Sequence, residues 1–559
     1  MAVATATVPR APATVLALNP LTRVGGALGV HAETDGEQIT DAHVAGTGFR
    51  GYEQILTGRD PRDCMMVASR SCGWCGGVHQ TTASLALEMA WGLTAPPMAQ
   101  ALRTVAQATE MIWVHAAHLA VRAGPDYSAD VVRHTTPWVW EEAVHTPAPG
   151  AAVHGYRTMA DLMEALTPVT GSYWRETVQT GRKVLEMINL LYGKYPHPSV
   201  LSPGGVGTEL TVGSFTEYYT RLYRAVDYVK KQIALWDDLV DFLADSDPRF
   251  AEQGQRPASF IHAGALDDPE FCDGSYANLD LYGSKRLAGP GVIIDGQQVT
   301  DRLSEVEAGV TESVARSFYA EADGVGDFQA SDWPANHPRS RRTVPAPGER
   351  RDEGAYSWCT APRWNGHVVE STPLGRLWLT ALRGDFPPNE FIQPTGHSVR
   401  INVPENFLPL TTVEWRIPQR ANMLERLRAD AYGVAFAGLC AANGLLKGFE
   451  LLRSYRTNLA SGFKVAQGTA AGVGLWESGR GMTAHWLLTN KGRVENYQIV
   501  GASTWNASPR DAQGQPGPIE EALLGSPMLE QADDEGPQHG IDAARIVRSF
   551  DPCMNCAVH

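Results

Sequence analysis

Two C-x-x-C pairs lie at opposite ends of the chain: Cys72 and Cys75 in Arg70-Ser-Cys-Gly-Trp-Cys-Gly-Gly-Val-His79, Cys553 and Cys556 in Asp551-Pro-Cys-Met-Asn-Cys-Ala-Val-His559. Each pair presents two thiolates to one ion, and together they make a four-sulfur site. Half of the eight cysteines fall in this pattern, and His79 and His559 follow the pairs at similar short offsets. The last residue stands just beyond Cys556, where chain ends ordinarily fray, so something must hold this end down. Spacing alone leaves three chemistries open: structural zinc, an iron–sulfur site, and a catalytic transition-metal site. Zinc ribbons usually close over a short loop, whereas here nearly the whole chain separates the pairs.

The elements between must bring the pairs together. From Asn19 to about Asp60 the sequence reads as short strands and turns punctuated by glycine. Helical spacing of apolar residues predicts helices over Thr81–Trp91, Met98–Ala123, Thr158–Leu166, Tyr173–Tyr192, Ser214–Ala244 and Asn422–Ser454. Gly291–Thr300 reads as a hairpin around Asp295-Gly296, and Thr483–Val500 as two strands joined at Asn490-Lys491-Gly492. Residues 330–352, rich in Pro, Arg and Asp, are expected to form an exposed loop, and residues 1–15 a flexible tail. The expectation is an α+β fold, mainly helical, with a central long-helix bundle and peripheral small sheets and hairpins, in one interlocked unit spanning 1–559.

The chain has 559 residues, 43% hydrophobic and 19% charged, ordinary values for a soluble globular protein. A net charge of −15 argues against nucleic acid as the main partner. Cys64, Cys272, Cys359 and Cys440 show no paired spacing, which fits a reducing compartment. The N-terminus lacks a signal-peptide pattern. The longest apolar stretch, Ala431–Leu446, is shorter than a membrane span and reads as a buried helix.

The cysteine motifs closely resemble the paired signature of nickel–iron hydrogenase large subunits. The likeness continues in Asn19-Pro-Leu-Thr-Arg23, Gly46-Thr-Gly-Phe-Arg-Gly-Tyr-Glu53, Tyr356-Ser-Trp-Cys-Thr-Ala-Pro-Arg363, Glu477-Ser-Gly-Arg-Gly481 and Thr504-Trp-Asn-Ala-Ser-Pro-Arg-Asp511. The resemblance implies that Cys72, Cys75, Cys553 and Cys556 bind nickel, and that Cys75 and Cys556 bridge to an iron carrying carbon monoxide and cyanide, Fe(CN)2(CO). Soft thiolates suit both metals. Hydrogen would be split heterolytically, the metal pair acting as Lewis acid.

By the same resemblance, Arg480 overhangs the metal pair, Asp551 holds its guanidinium, and Ser503 hydrogen-bonds a cyanide. Glu53, His559 and the Ile499 carbonyl would ligate a magnesium-type ion (Mg2+). His79 is expected to hydrogen-bond a cysteine sulfur or face a partner subunit. The sequence departs from the family in Ser478-Gly479, where Ala-Pro usually precedes the arginine. It departs again in Arg23-Val24-Gly25-Gly26-Ala27, where many members have a proton-accepting glutamate and this chain has Gly25. Remaining proton acceptors are a cysteine thiolate, Asp551, His31, Glu33 or water. Trp74, in place of a small aliphatic residue, either packs in the core or narrows a gas channel.

The implied enzyme is an uptake hydrogenase whose electrons leave through an iron–sulfur small subunit, since too few cysteines remain here for a cluster relay. The resemblance further implies a higher oligomer of such heterodimers, with quinone or another electron acceptor downstream and a maturation endopeptidase and nickel chaperones serving assembly. The Arg70–His79 version of the first motif most resembles aerobic uptake-type members, which implies work on the cytoplasmic side, membrane-associated through partners. Ending at His559 matches either a processed form or a gene without an extension. Alternatives are a hydrogen-sensing member and a non-catalytic scaffold with structural zinc.

Overall fold

A computed structural model describes residues 14–208, 211–322, 334–404, 410–531 and 538–559. It opens with three antiparallel strands, β1 (Thr14–Leu18), β2 (Leu28–Thr34) and β3 (Ile39–Gly46), in that spatial order. Along β2 the period of two buries Val30, Ala32 and Thr34 and turns His31 and Glu33 to solvent.

Helix α1 (Gly76–Trp91) starts directly at Cys75 and stops at Gly92, whose left-handed conformation (φ 63°) ends it. Its small and apolar residues are buried on every side, the mark of a core helix. Helix α2 (Pro97–Ala117) takes proline at its first position, where no amide hydrogen is needed. It continues into a wider π-helical turn over His118–Ala123. Helix α3 (Ser172–Tyr192) buries Tyr173, Thr177, Val184, Ile188 and Leu191 along one stripe. Helix α4 (Met423–Arg453) is capped by Asn422, whose Oδ1 accepts from the Glu425 amide at 2.9 Å. It is long and apolar enough to cross a membrane, but it lies inside the molecule along α2, with most of its length buried.

The last large sheet joins β4 (Ala470–Ser478), β5 (Gly481–Asn490) and β6 (Arg493–Val500) in sequence order. β4 lies against α1 so closely that a Cβ on Gly474 would stand 1.8 Å from the Thr82 carbonyl oxygen, and one on Gly472 2.0 Å from that of Ala86. Glycine is therefore what lets sheet and helix touch backbone to backbone. Among the described residues the sheets have at most three strands, around a long-helix core. The fold is α+β and mainly helical, as expected.

Three local expectations are corrected. The helix expected over Ser214–Ala244 is two, Val212–Tyr223 and Val226–Ser246, parted at Arg224-Ala225. The Ala225 amide donates to the Leu222 carbonyl at 3.0 Å, closing a tight turn between them. The loop expected over 330–352 is not exposed throughout: residues 330–333 lie outside the described residues, but Arg342–Pro345 is a strand paired with Tyr319–Ala322. Arg341 and Thr343 are buried there, drawn in by the Glu312 carbonyl and the Glu53 carboxylate. Of the expected tail, residues 1–13 lie outside the described residues, while Thr14 and Val15 already belong to β1.

Candidate metal centre

The four cysteines meet. Their sulfurs lie within 4.8 Å of one another and all four residues are buried. Cys553 Sγ is 3.3 Å from Cys72 Sγ and 3.1 Å from Cys556 Sγ, too far for disulfides. In the first pair the amides of Trp74 and Cys75 point at Cys72 Sγ, at 3.2 and 3.1 Å. The second pair is anchored by Gly25, whose amide donates to Pro552 O at 3.0 Å and whose carbonyl accepts from the Met554 amide at 2.5 Å. Arg50 straps the two loops together: its Nη2 lies 2.7 Å from Ser71 O and 2.8 Å from Asn555 O. The Cys553 thiol is pushed below its usual range by hydrogen bonds from Cys556, Cys72 and Cys75. A buried, close-set quartet of thiols free of disulfides fits a pair of soft metal ions.

Arg480 is fully buried in the tight turn between β4 and β5. Its Nη1 reaches Cys75 Sγ at 2.9 Å, and its Nε lies 2.8 Å from Asp551 Oδ2. Nη2 has no hydrogen-bond partner among the described residues. Burial opposes the charge, but Asp551, then the sulfurs of Cys75, Cys553 and Cys72, outweigh it and hold the guanidinium well above its ordinary range. Asp551 takes a left-handed backbone conformation (φ 45°), unusual outside glycine, which marks a constrained position. The Ser478-Gly479 departure is accommodated: Arg376 donates to Ser478 O at 2.5 Å, and a Cβ on Gly479 would stand 2.7 Å from Val114 on α2.

Ser503 Oγ accepts from the Cys553 amide at 2.8 Å, which leaves its own hydroxyl proton free to donate. His79 differs from expectation. It is fully buried, so it faces no partner subunit, and its Nδ1 lies 3.0 Å from His485 Nε2, which leads on to Tyr497 OH through His485 Nδ1 at 2.7 Å. Its Nε2 has no hydrogen-bond partner. Burial lowers the His79 pKa to about 4, so the ring is neutral at pH 7.

Glu53, Ile499 and His559 also gather, on the far side of the second cysteine loop. Glu53 Oε1 accepts from the Ile499 amide at 2.8 Å, and His559 Nδ1 is 3.7 Å away. The His559 carbonyl accepts from the Gly51 amide at 3.1 Å, which ties down this end of the chain. Burial raises Glu53 to about 8, and both ring nitrogens of His559 lack hydrogen-bond partners. A buried carboxylate and an unpartnered imidazole side by side fit a hard cation between them.

Gly25 does stand beside the site: a Cβ there would lie 3.1 Å from Cys553 Sγ. The space is filled by the cysteine itself. His31 and Glu33 are exposed on β2, which removes them as buried proton acceptors. Trp74, half-buried, packs against the core: it stacks on Trp113 at 5.8 Å between centroids, and the Arg122 guanidinium lies 4.8 Å from its ring. Sequence reading missed Arg122, whose Nη1 is 3.1 Å from Asp551 Oδ1, as well as Arg50, His485 and Glu110. Arg122, His485 and Glu110 are single buried residues with no motif spacing to announce them, and Arg50, though inside the Gly46–Glu53 stretch, gives no sign there of strapping the cysteine loops.

The profile of the nickel-dependent hydrogenase family matches residues 50–136 and 154–559. The chain belongs to this family. It is a hydrogenase large subunit, an oxidoreductase whose four cysteines form the nickel–iron site. It is 28% identical to the uptake hydrogenase large subunit of Rubrivivax gelatinosus, over 97% of this chain and 95% of that one. It is 25% identical to the hydrogenase-2 large chain of Escherichia coli K12, over 97% of each. Among solved structures, an actinobacterial-type NiFe-hydrogenase from Ralstonia eutropha H16 superposes with a TM-score of 0.93 at 36% identity, over 98% of this chain and 100% of that one. The Ni-Fe-Se hydrogenase of D. vulgaris Hildenborough gives 0.73 at 26% identity, over the same shares.

Proposed function

We propose that this chain oxidises hydrogen as the large subunit of an uptake-type enzyme, with Cys75 and Cys556 bridging nickel to an iron that carries two cyanides and one carbon monoxide. The observation that carries the reading is the buried four-sulfur cluster with Arg480 hydrogen-bonded to one of its sulfurs. When bound, the metal pair supplies Lewis-acid polarisation of hydrogen and a path for its electrons. Asp551 fixes Arg480 from one side, so a preoriented, permanently charged fork faces the site where charge develops. Ser503 offers its hydroxyl proton to a diatomic ligand. The neutral His79–His485–Tyr497 chain ties α1 to the last sheet beside the site without adding charge. Glu53, the Ile499 backbone and His559 hold Mg2+, with water completing its shell.

The small-subunit partner carries iron–sulfur clusters that take the electrons, and the heterodimers assemble further. Quinone or another acceptor lies downstream, on the cytoplasmic side of a membrane that the enzyme meets through partners. A maturation endopeptidase and nickel chaperones serve its assembly. The similarity to uptake hydrogenase large subunits supports the direction of reaction. Cys556→Ser tests the reading: a hard hydroxyl cannot replace a bridging thiolate, so hydrogen-dependent dye reduction and the infrared bands of bound cyanide and carbon monoxide are both lost. Normal dye reduction in this variant would refute it.

A further inference from the structure

Hydrogen oxidation releases protons inside a buried site, so one buried group must take them first. Most buried carboxylates near the centre are committed to cations. Asp551 is held by Arg480 and Arg122, Glu477 by Arg376 and His262, Glu88 by Arg103, and Asp430 by His115 and His118. A carboxylate paired in this way already has its oxygens engaged.

Glu110, on α2, is different. It is 1% exposed, and among the described residues no cation or side chain pairs with its carboxyl, which meets only the Gly77 and Val78 amides. Its carboxyl presses on the first turn of α1: a Cβ on Gly77 would stand 2.2 Å from Glu110 Oε2 and 3.3 Å from Gln107 Nε2. Glycine at that turn is what makes room for the carboxyl. The helix N-terminus, with the Gly77 and Val78 amides, favours the anion, while burial and then the charge of Cys75 push the group well above the usual carboxylate range. Both protonation states are therefore tolerated. Hydroxyls surround this part of α2, and one of them belongs to the part-exposed Tyr195. Gln107 Nε2 donates to Tyr192 OH at 2.7 Å and to Thr81 Oγ1 at 3.2 Å. Tyr195, half-buried, donates from its hydroxyl to Trp74 O at 2.8 Å and feels the charges of both Glu110 and Cys75.

We propose that Glu110 is the first carboxylate to carry protons away from the four-cysteine site, on the α1 side of Cys75 and opposite Gly25. The step rests on hydrogen cleavage at that site. One H2 loses its H–H bond and gives two protons and two electrons. The electrons leave to the iron–sulfur partner. For each proton, the Glu110 acid first gives up its own proton toward Tyr195 and solvent, and the carboxylate so formed takes up the new one, which restores the acid.

Glu110→Gln keeps the shape and cannot carry a proton. In nickel-loaded enzyme, exchange of D2 with solvent protons should fall at least about hundredfold, the ordinary size of a general-base contribution. Conversion of para-hydrogen, which needs cleavage but no release to solvent, should persist, and its loss together with the metal's infrared bands would instead indict the four-cysteine reading. Glu110→Asp should keep at least about a tenth of the parent exchange, within one decade of free-energy loss. Independently of turnover, metal-free parent protein at neutral pH should show an infrared carboxylic-acid band that moves in D2O and is missing from Glu110→Gln. Exchange within threefold of the parent in fully loaded Glu110→Gln, or Glu110→Asp as slow as Glu110→Gln, would overturn the assignment. Should Glu110→Gln fail to load nickel, absence of the acid band from the metal-free parent would overturn it.

Discussion

Arg480 does two jobs with one side chain: one nitrogen is spent on Asp551, one on Cys75 Sγ, and Nη2 is left without a hydrogen-bond partner among the described residues at a fully buried position. Leaving such a donor unsatisfied is unfavourable by about 1–3 kcal/mol, which the fold tolerates where something else is meant to bind. Lysine would put a point charge in place of this planar fork and could not span both partners. Arg480→Lys should therefore keep its nickel and lose at least about hundredfold in hydrogen oxidation, two decades at about 1.4 kcal/mol each. Nickel content by elemental analysis beside dye-reduction rate checks this, and activity within twofold of the parent would show that the fork has no such role. Arg122 explains why Asp551 can sit in a strained backbone conformation: two guanidiniums grip its carboxylate from opposite sides.

Among the elements, the contact between α1 and β4 does most to place the first cysteine pair, because Cys75 opens α1 and Arg480 follows β4. Gly474→Ala puts a methyl 1.8 Å from the Thr82 carbonyl, so helix and sheet must part. The expected outcome is a thermal midpoint several degrees lower. Gly438→Ala on α4 is the control: its nearest neighbour would be Ile112 Cδ1 at 3.9 Å, and helix propensity favours alanine by about 0.8–1.0 kcal/mol, so stability should hold or rise. Glu520 couples another pair of elements, accepting from the Val44 amide of β3 at 3.0 Å. Burial lifts its carboxyl from 4.5 to about 7. Below pH about 4.5 both folded and unfolded chains hold this proton, and between about 4.5 and 7 only the folded chain does. This group's contribution to stability thus falls as pH rises through that window and levels off above it. Glu520→Gln should flatten that part of the pH dependence of the thermal midpoint, and an unchanged slope would exclude the coupling.

Across the whole molecule, what sequence reading recovered was what repeats or clusters. The cysteine pairs announce themselves by spacing, Arg480, Asp551 and Glu53 by motifs around them, and α4 by an apolar stripe between Asn422 and Ser454. Other features leave no such trace. Glu110 and Arg122 are single polar residues in helices otherwise read as core, and their meaning comes only from what lies across the interface. β4 is short-residue and glycine-rich, so its pattern hides a strand whose identity depends on α1 packing against it. The break at Arg224-Ala225 carries neither proline nor glycine to signal it, and shows only in the tight turn that the Ala225 amide closes. The central claim is that chain ends separated by nearly the full length close four sulfurs around nickel and iron. X-ray absorption at the nickel edge of the purified enzyme tests it most directly. The account predicts a nickel shell dominated by sulfur with an iron neighbour, both lost in Cys556→Ser; a protein carrying zinc in place of nickel, or nickel surrounded by nitrogen and oxygen, would contradict it.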